Sequence, residues 1–162
     1  MKSSILTLSL SLLAALSFAS AQQPAARKPP VGVPADAQPF NGKWYRVYNE
    51  RMPWQRARQR CSALAGQLAV VPDQPTWEFL RKLAQGTSLW LGATDEQTEG
   101  IWQWVDGTPF EFKAWMRGAP DNYRGRENYL HTFHDEWNDA PKDGEHAPRQ
   151  FVIGFICEWK TK

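Results

Sequence analysis

The sequence predicts an α+β domain, with its helices near the start and an antiparallel sheet assembled mostly from later segments. Three observations carry this reading. "KWYRVYN" alternates large apolar and polar residues as a half-buried strand does. The two stretches after it carry apolar residues at helical spacing. From Ser88 onward the apolar runs are short and bounded by Gly, Asp and Asn, as strands and turns are.

Lys43 to Asn49 is the first expected strand. Pro53 can open a helix, since its fixed φ suits the first turn. Trp54, Ala57, Cys61, Leu64 and Leu68 follow at steps of 3, 4, 3 and 4, one stripe that turns Cys61 inward. Gly66 places the helix end nearby. "DQPTWEFLRKLAQG" reads as a second helix, capped by Asp73, with Pro75 in its first turn and Gly86 at its end. Trp77, Leu80, Leu83 and Ala84 would face inward. "SLWLGA", Ser88 to Ala93, is a short apolar run suited to a central strand. "IWQWVDG", Ile101 to Gly107, alternates and ends on the turn pair Asp106-Gly107. From Phe112 to Asp139 regular patterning thins, interrupted by "YLHTF". Trp115, Tyr129, Phe133 and Trp137 can anchor this stretch, so it reads as an ordered, functional loop. Its end, "EWND" (Glu136 to Asp139), puts an amide beside a carboxylate. On a flat strand such neighbours face opposite ways, so a shared task needs a departure from that geometry. "RQFVIGFICEWK" supplies the closing strand, which can pair with the first and bring the termini together.

The chain has 162 residues. Residues 1–21 read as a signal peptide: Lys2, an apolar run from Ile5 to Ala19, and small residues with cleavage after Ala21. The run is short for a bilayer span and is broken by Ser and Thr. No other segment suits a membrane, so the expected location is secreted, periplasmic or extracellular. Residues 22–39 read as a flexible linker rich in Pro and Ala, and 40–162 as one domain. With 19 Lys and Arg against 17 Asp and Glu, the net charge of +2 does not point to nucleic acid. "RARQR" (Arg56 to Arg60) reads as the wet face of a helix, with an acidic-polymer site as the alternative. Two cysteines in an exported chain, Cys61 and Cys157, most simply form one disulfide. Chain-entropy arithmetic for a loop of roughly 100 residues gives about 4–5 kcal/mol at the upper end.

The ordered set "RCSALAGQLA", "LWLGA", "TDEQTEGIWQWVDG", Trp115, "GAPDN", "WND" and "FICEW" resembles the C-type lectin-like domain family over about residues 40–160. The resemblance implies a double-loop fold, with two helices, antiparallel sheets and a long irregular loop. It implies a disulfide from the first helix to the last strand, matching Cys61 and Cys157. The family's common second disulfide would need cysteines near Tyr129 and after Asp139, where there are none. Packing or metal must then hold the long loop.

The implied function is a secreted carbohydrate-binding module that takes Ca²⁺ and a glycan or glycoconjugate. By position, Ala119-Pro120-Asp121 stands where sugar-binding members carry Glu-Pro-Asn or Gln-Pro-Asp, with the proline peptide cis. The implied metal and sugar ligands are Asp121, Glu127, Asn138 and Asp139. Ala119 removes one ligand, so the expected site is weakened, with water filling the gap; Ca²⁺ takes roughly 6–8 oxygens in tolerant geometry. Asp121 is similar to the galactose-type end of the triplet. A second calcium position is implied at Asp95 and Glu99, although Asn122 and Asn128 stand where two further acids are expected. Tyr123 reads as a sugar platform or as loop packing. The alternative is a calcium-independent lectin-like module that binds a protein or another surface. No enzyme is expected: "HTFHDE" with Glu127 would be the zinc-hydrolase candidate, but His131 and His134 on a strand face opposite ways and no H-E-x-x-H helix exists.

Overall fold

The computed structural model describes residues 28–145 and 151–160. The expected signal peptide lies outside them. The strands are β1 (Gln38–Phe40), β2 (Lys43–Tyr48), β3 (Gln67–Leu68), β4 (Leu89–Thr94), β5 (Gln103–Trp104), β6 (Glu127–Phe133), β7 (Glu136–Pro141) and β8 (Gly154–Lys160). The helices are α1 (Trp54–Ala63) and α2 (Gln74–Ala84). The sheet runs β1-β2-β8-β4-β6-β7, with β3 also on β8 and β5 also on β4. The α+β class and the pairing of the first long strand with the last both hold: Lys43 to Tyr48 face Lys160 to Phe155. β1 adds Gln38 and Pro39, from the stretch read as linker, to the edge of β2.

The sheet is mixed rather than antiparallel throughout. β4 and β8 run parallel through Leu89↔Gly154 and Trp90↔Phe155. Gly154 makes this approach possible, because a Cβ there would collide with the Tyr48 carbonyl and lie 2.8 Å from a Leu89 methyl carbon. Beside it, the closing strand buries Glu158 completely. Lys43 Nζ donates to its carboxylate at 2.8 Å, Gln67 Nε2 at 2.9 Å and the Val70 N–H at 3.2 Å. A buried carboxylate needs such partners, and here they tie β2 and the β3 region to β8.

α1 is shorter than its apolar stripe. The helix ends at Ala63, Ala65 takes a left-handed φ of 57°, and Leu68 reaches the core from β3, opposite Cys157. Both the inner helix face and the strand pack on one core, so a continuous period spans a break in the backbone. α2 follows the expectation: the Asp73 carboxylate accepts the Thr76 N–H at 2.9 Å, and Gln85 and Gly86 turn left-handed at the end. Leu83 is half-buried rather than in the core.

The irregular stretch ends at Arg126, not Asp139. "YLHTF" and "EWND" belong to the two strands of one regular hairpin, β6 and β7. Trp137 fixes that hairpin. It is wholly buried, and the rings of Trp77, Trp104, Phe112 and Trp115 lie 5.6–5.9 Å from its own. Its backbone also holds the long loop: the Trp137 N–H donates to Ala114 and the Met116 N–H donates to Trp137. Packing on Trp137 and these two hydrogen bonds anchor the loop to the hairpin. Cys61 and Cys157 are bonded to each other in the other half of the core.

Candidate functional site

The candidate site forms where the long loop meets the open end of the β6–β7 hairpin. The register shifts there, with Glu127 opposite Pro141 but Tyr129 opposite Ala140. The extra residue, Asn128, makes a bulge, which re-aims side chains at a strand end. Glu127 and Asp139 are buried in spite of their charge. The loop contributes Asp121, one residue after the cis Ala119–Pro120 bond. One carboxylate oxygen from each of Asp121, Glu127 and Asp139 lies within 4.8 Å of the other two.

The loop backbone partly supports these charges. Asp139 accepts the N–H groups of Asp121 at 3.2 Å and Asn122 at 2.8 Å, and Glu127 accepts that of Tyr123 at 3.3 Å. This support does not neutralise the cluster. Burial, followed by the Asp139 and Asp121 charges, pushes the Glu127 carboxyl from 4.5 up to about 7. Burial also raises Asp139, with the Asp121 charge adding to it and the backbone donors opposing it. Three hard oxygen donors with uncompensated charge fit a divalent cation such as Ca²⁺.

Asn138, the expected amide ligand, is half-buried on β7 opposite His131. Its side chain makes no hydrogen bond among the described residues, and on β7 it precedes Asp139 in sequence. Ala119 is half-buried and supplies no oxygen from its side chain.

At the second expected position, amides stand in place of acids. Asp95 is buried and accepts the Gly100 N–H at 2.8 Å and Asn128 Nδ2 at 3.2 Å. Asn122 Nδ2 donates to Glu99, and Asn128 Nδ2 reaches the same oxygen at 3.4 Å. Partial desolvation, then the Asp95 and Asp139 charges, raises Glu99. Asn122 links the two positions: its backbone serves Asp139, its amide nitrogen serves Glu99, and its Oδ1 accepts the Glu127 N–H at 3.0 Å. A left-handed backbone, φ 43° and ψ 50°, lets this single residue serve all three. The sequence shows Asn122 and Asn128 only as amides standing where two further acids are expected, and does not disclose this bridging role. The signal available was that both amides occupy positions where acids were expected.

The Lectin C-type domain family model matches residues 50–158. The chain belongs to the Lectin C-type domain family. "C-type lectin domain family 4 member F" of Mus musculus is 38% identical over 108 residues, 62% of this chain and 20% of that protein. "Hepatic lectin" of Gallus gallus is 33% identical over 104 residues, 62% of this chain and 50% of that protein. The chain thus spans half or less of the length of these relatives. Among solved structures, the cow C-type carbohydrate-recognition domain of CD23, determined in the presence of a GlcNAc2Man3 oligosaccharide, superposes with a TM-score of 0.72 at 26% identity. That match covers 80% of this chain and 97% of the other.

Within this C-type lectin domain the two histidines of "HTFHDE" sit in different settings. His131 is buried in β6, its Nδ1 within 3.0 Å of Ser88 Oγ and 2.8 Å of the Thr132 carbonyl. His134 is exposed in the following turn, with a left-handed φ of 53°. Tyr123 is half-exposed in the loop after Asp121, with the Arg124 guanidinium 5.0 Å from its ring centre.

Proposed function

We propose that the domain is a calcium-dependent glycan-binding module whose site is formed by Asp121, Glu127, Asn138 and Asp139. The observation that carries this reading is the convergence of three carboxylate oxygens, two of them on buried side chains, at the end of the β6–β7 hairpin. A bound Ca²⁺ would supply coordination positions for two neighbouring sugar hydroxyls. The residues around it orient the sugar by hydrogen bonding: the carboxylates only accept, whereas the Asn138 amide both donates and accepts. That asymmetry selects hydroxyl stereochemistry, and Asp121 inclines the site to galactose-type sugars. Ala119 leaves the set one donor short, so affinity for the ion is modest. Asp95 and Glu99, bridged by Asn122 and Asn128, brace the loop rather than form a second strong cation site. The leader reading of residues 1–21, together with the Cys61–Cys157 bond, supports action outside the cytoplasm.

Retention on immobilised sugars tests this reading. The protein should be retained on galactose resin in millimolar calcium and released by chelator, and Glu127→Gln and Asp139→Asn should each abolish retention. Retention that is indifferent to chelator and to both substitutions would replace it with the calcium-independent alternative.

A further inference from the structure

The arginine cluster on α1 has no part in the site described above. From Arg51 to Pro72 the sequence holds four arginines and no Asp or Glu. In the structure, Arg51, Met52, Pro53, Arg56, Gln59 and Arg60 line an open cleft of about 520 Å³ at the start of α1. Arg56 and Arg60 are four residues apart and so share one helix face. Arg56 has no acidic partner among the described residues, and Arg60 has only a loose contact with the exposed Glu50 at 3.7 Å. Arg51 is held in place at the cleft wall, its guanidinium carbon 3.4 Å from the centre of the Phe151 ring. Stacking of this kind positions a guanidinium while leaving its edge N–H groups free to donate.

We propose that this cleft binds an acidic polysaccharide, a glycan bearing sulfate or carboxylate groups, independently of calcium. Arg51, Arg56 and Arg60 supply the cationic donors, and Gln59 adds a neutral donor between them. Guanidinium groups match sulfate and carboxylate oxygens in paired, charge-assisted geometry. The aromatic rings near the cleft decide between polyanions. Phe151 is covered by Arg51, and Arg58 and Arg60 lie over Trp54 and Tyr48 at 5.8 and 6.0 Å. Trp54 is itself buried, and Tyr48 stacks on Phe155. Among the described residues, each of these rings near the cleft is covered by an arginine or buried, whereas single-stranded nucleic acid draws much of its affinity from stacking on open rings.

The test is binding of the full chain to dextran sulfate in the presence of chelator, which silences the calcium-dependent site and separates the two proposals. Wild type should bind, with affinity falling steeply as salt rises. Arg56→Gln/Arg60→Gln should bind at least about tenfold more weakly, and the slope of log affinity against log salt should fall by about one to two. Arg117→Gln/Arg126→Gln, in the long loop, should bind as wild type does, and all three proteins should melt at the same temperature. An oligonucleotide of equal charge should bind more weakly than dextran sulfate. Absence of wild-type binding at low salt, or equal binding by the α1 double variant, would overturn the proposal. Oligonucleotide binding as tight as that of dextran sulfate would overturn its assignment to polysaccharide.

Discussion

Glu127 bears the largest electrostatic cost in the site. Its carboxyl titrates near 7 in the metal-free fold, against 4.5 without burial and charged neighbours. Between those values the folded chain holds a proton that the unfolded chain has released. Metal-free stability from this group is therefore complete below about pH 4.5 and is lost as pH rises through about 7. A cation must displace the same proton, so calcium affinity runs the other way. It should fall below pH 7, by at most about tenfold per pH unit for one proton, and calcium uptake at pH 6 should release close to one proton. Titration calorimetry in two buffers of different ionisation enthalpy measures this, and Glu127→Gln should remove the buffer difference. Asp139 and Asp95 offer a second comparison, because both are buried acids but their partners differ. Asp139→Asn removes a charge from the cluster and should cost at least tenfold in calcium affinity. Asp95 is already served by Gly100 and Asn128, so Asp95→Asn should change that affinity by no more than about threefold. Equal losses would mean that the two positions act as one site.

The β6–β7 hairpin positions these residues, and Trp137 holds the hairpin. Truncating a buried Trp to Ala typically costs about 3–5 kcal/mol. Trp137→Ala should lose about that much in denaturant unfolding, and its calcium affinity should fall although no ligand has been touched. A Trp137→Ala protein that keeps full calcium affinity would show that the loop holds its shape without this ring. The hairpin is also where the sequence was least legible. Glu127, His131, Thr132 and Asp139 are all buried on its strands. Each puts a polar letter where a strand pattern expects an apolar one, so the alternation disappears. These groups are tolerated because partners meet them: the Thr132 hydroxyl donates to the Thr87 carbonyl at 2.6 Å and accepts the Leu89 N–H at 2.9 Å. Elements with local signals were legible, among them the Asp73 cap, the "LWLGA" run and the closing strand. The end of α1 was not, because Leu68 continues the helical period from a strand. The parallel pairing of β4 with β8 was not either, since it joins segments more than sixty residues apart. In the site, the resemblance brought out Asp121, Glu127 and Asp139, which the fold does bring together. The amide bridge through Asn122 was not legible, because it depends on a backbone conformation that the residue name does not disclose.

Across the described residues the first long strand and the last are tied firmly to each other, and the long loop less so. β2 pairs with β8 along six residues, Glu158 is locked between β2 and β3, and Cys61 is bonded to Cys157. The loop rests instead on the Trp137 cluster, a few backbone hydrogen bonds and a set of buried acids that repel one another. A cation at those acids would stabilise this weaker half, and a ligand that binds only the native state raises the melting temperature in proportion to RT ln(1 + [L]/Kd). The most direct test of the account is therefore thermal unfolding in excess calcium and in chelator, at pH 8 and at pH 5.5. Calcium should raise the melting temperature at pH 8, raise it less at pH 5.5 where Glu127 is protonated, and raise it little or not at all for Asp139→Asn at either pH. Identical melting in millimolar calcium and in chelator at pH 8 would contradict it.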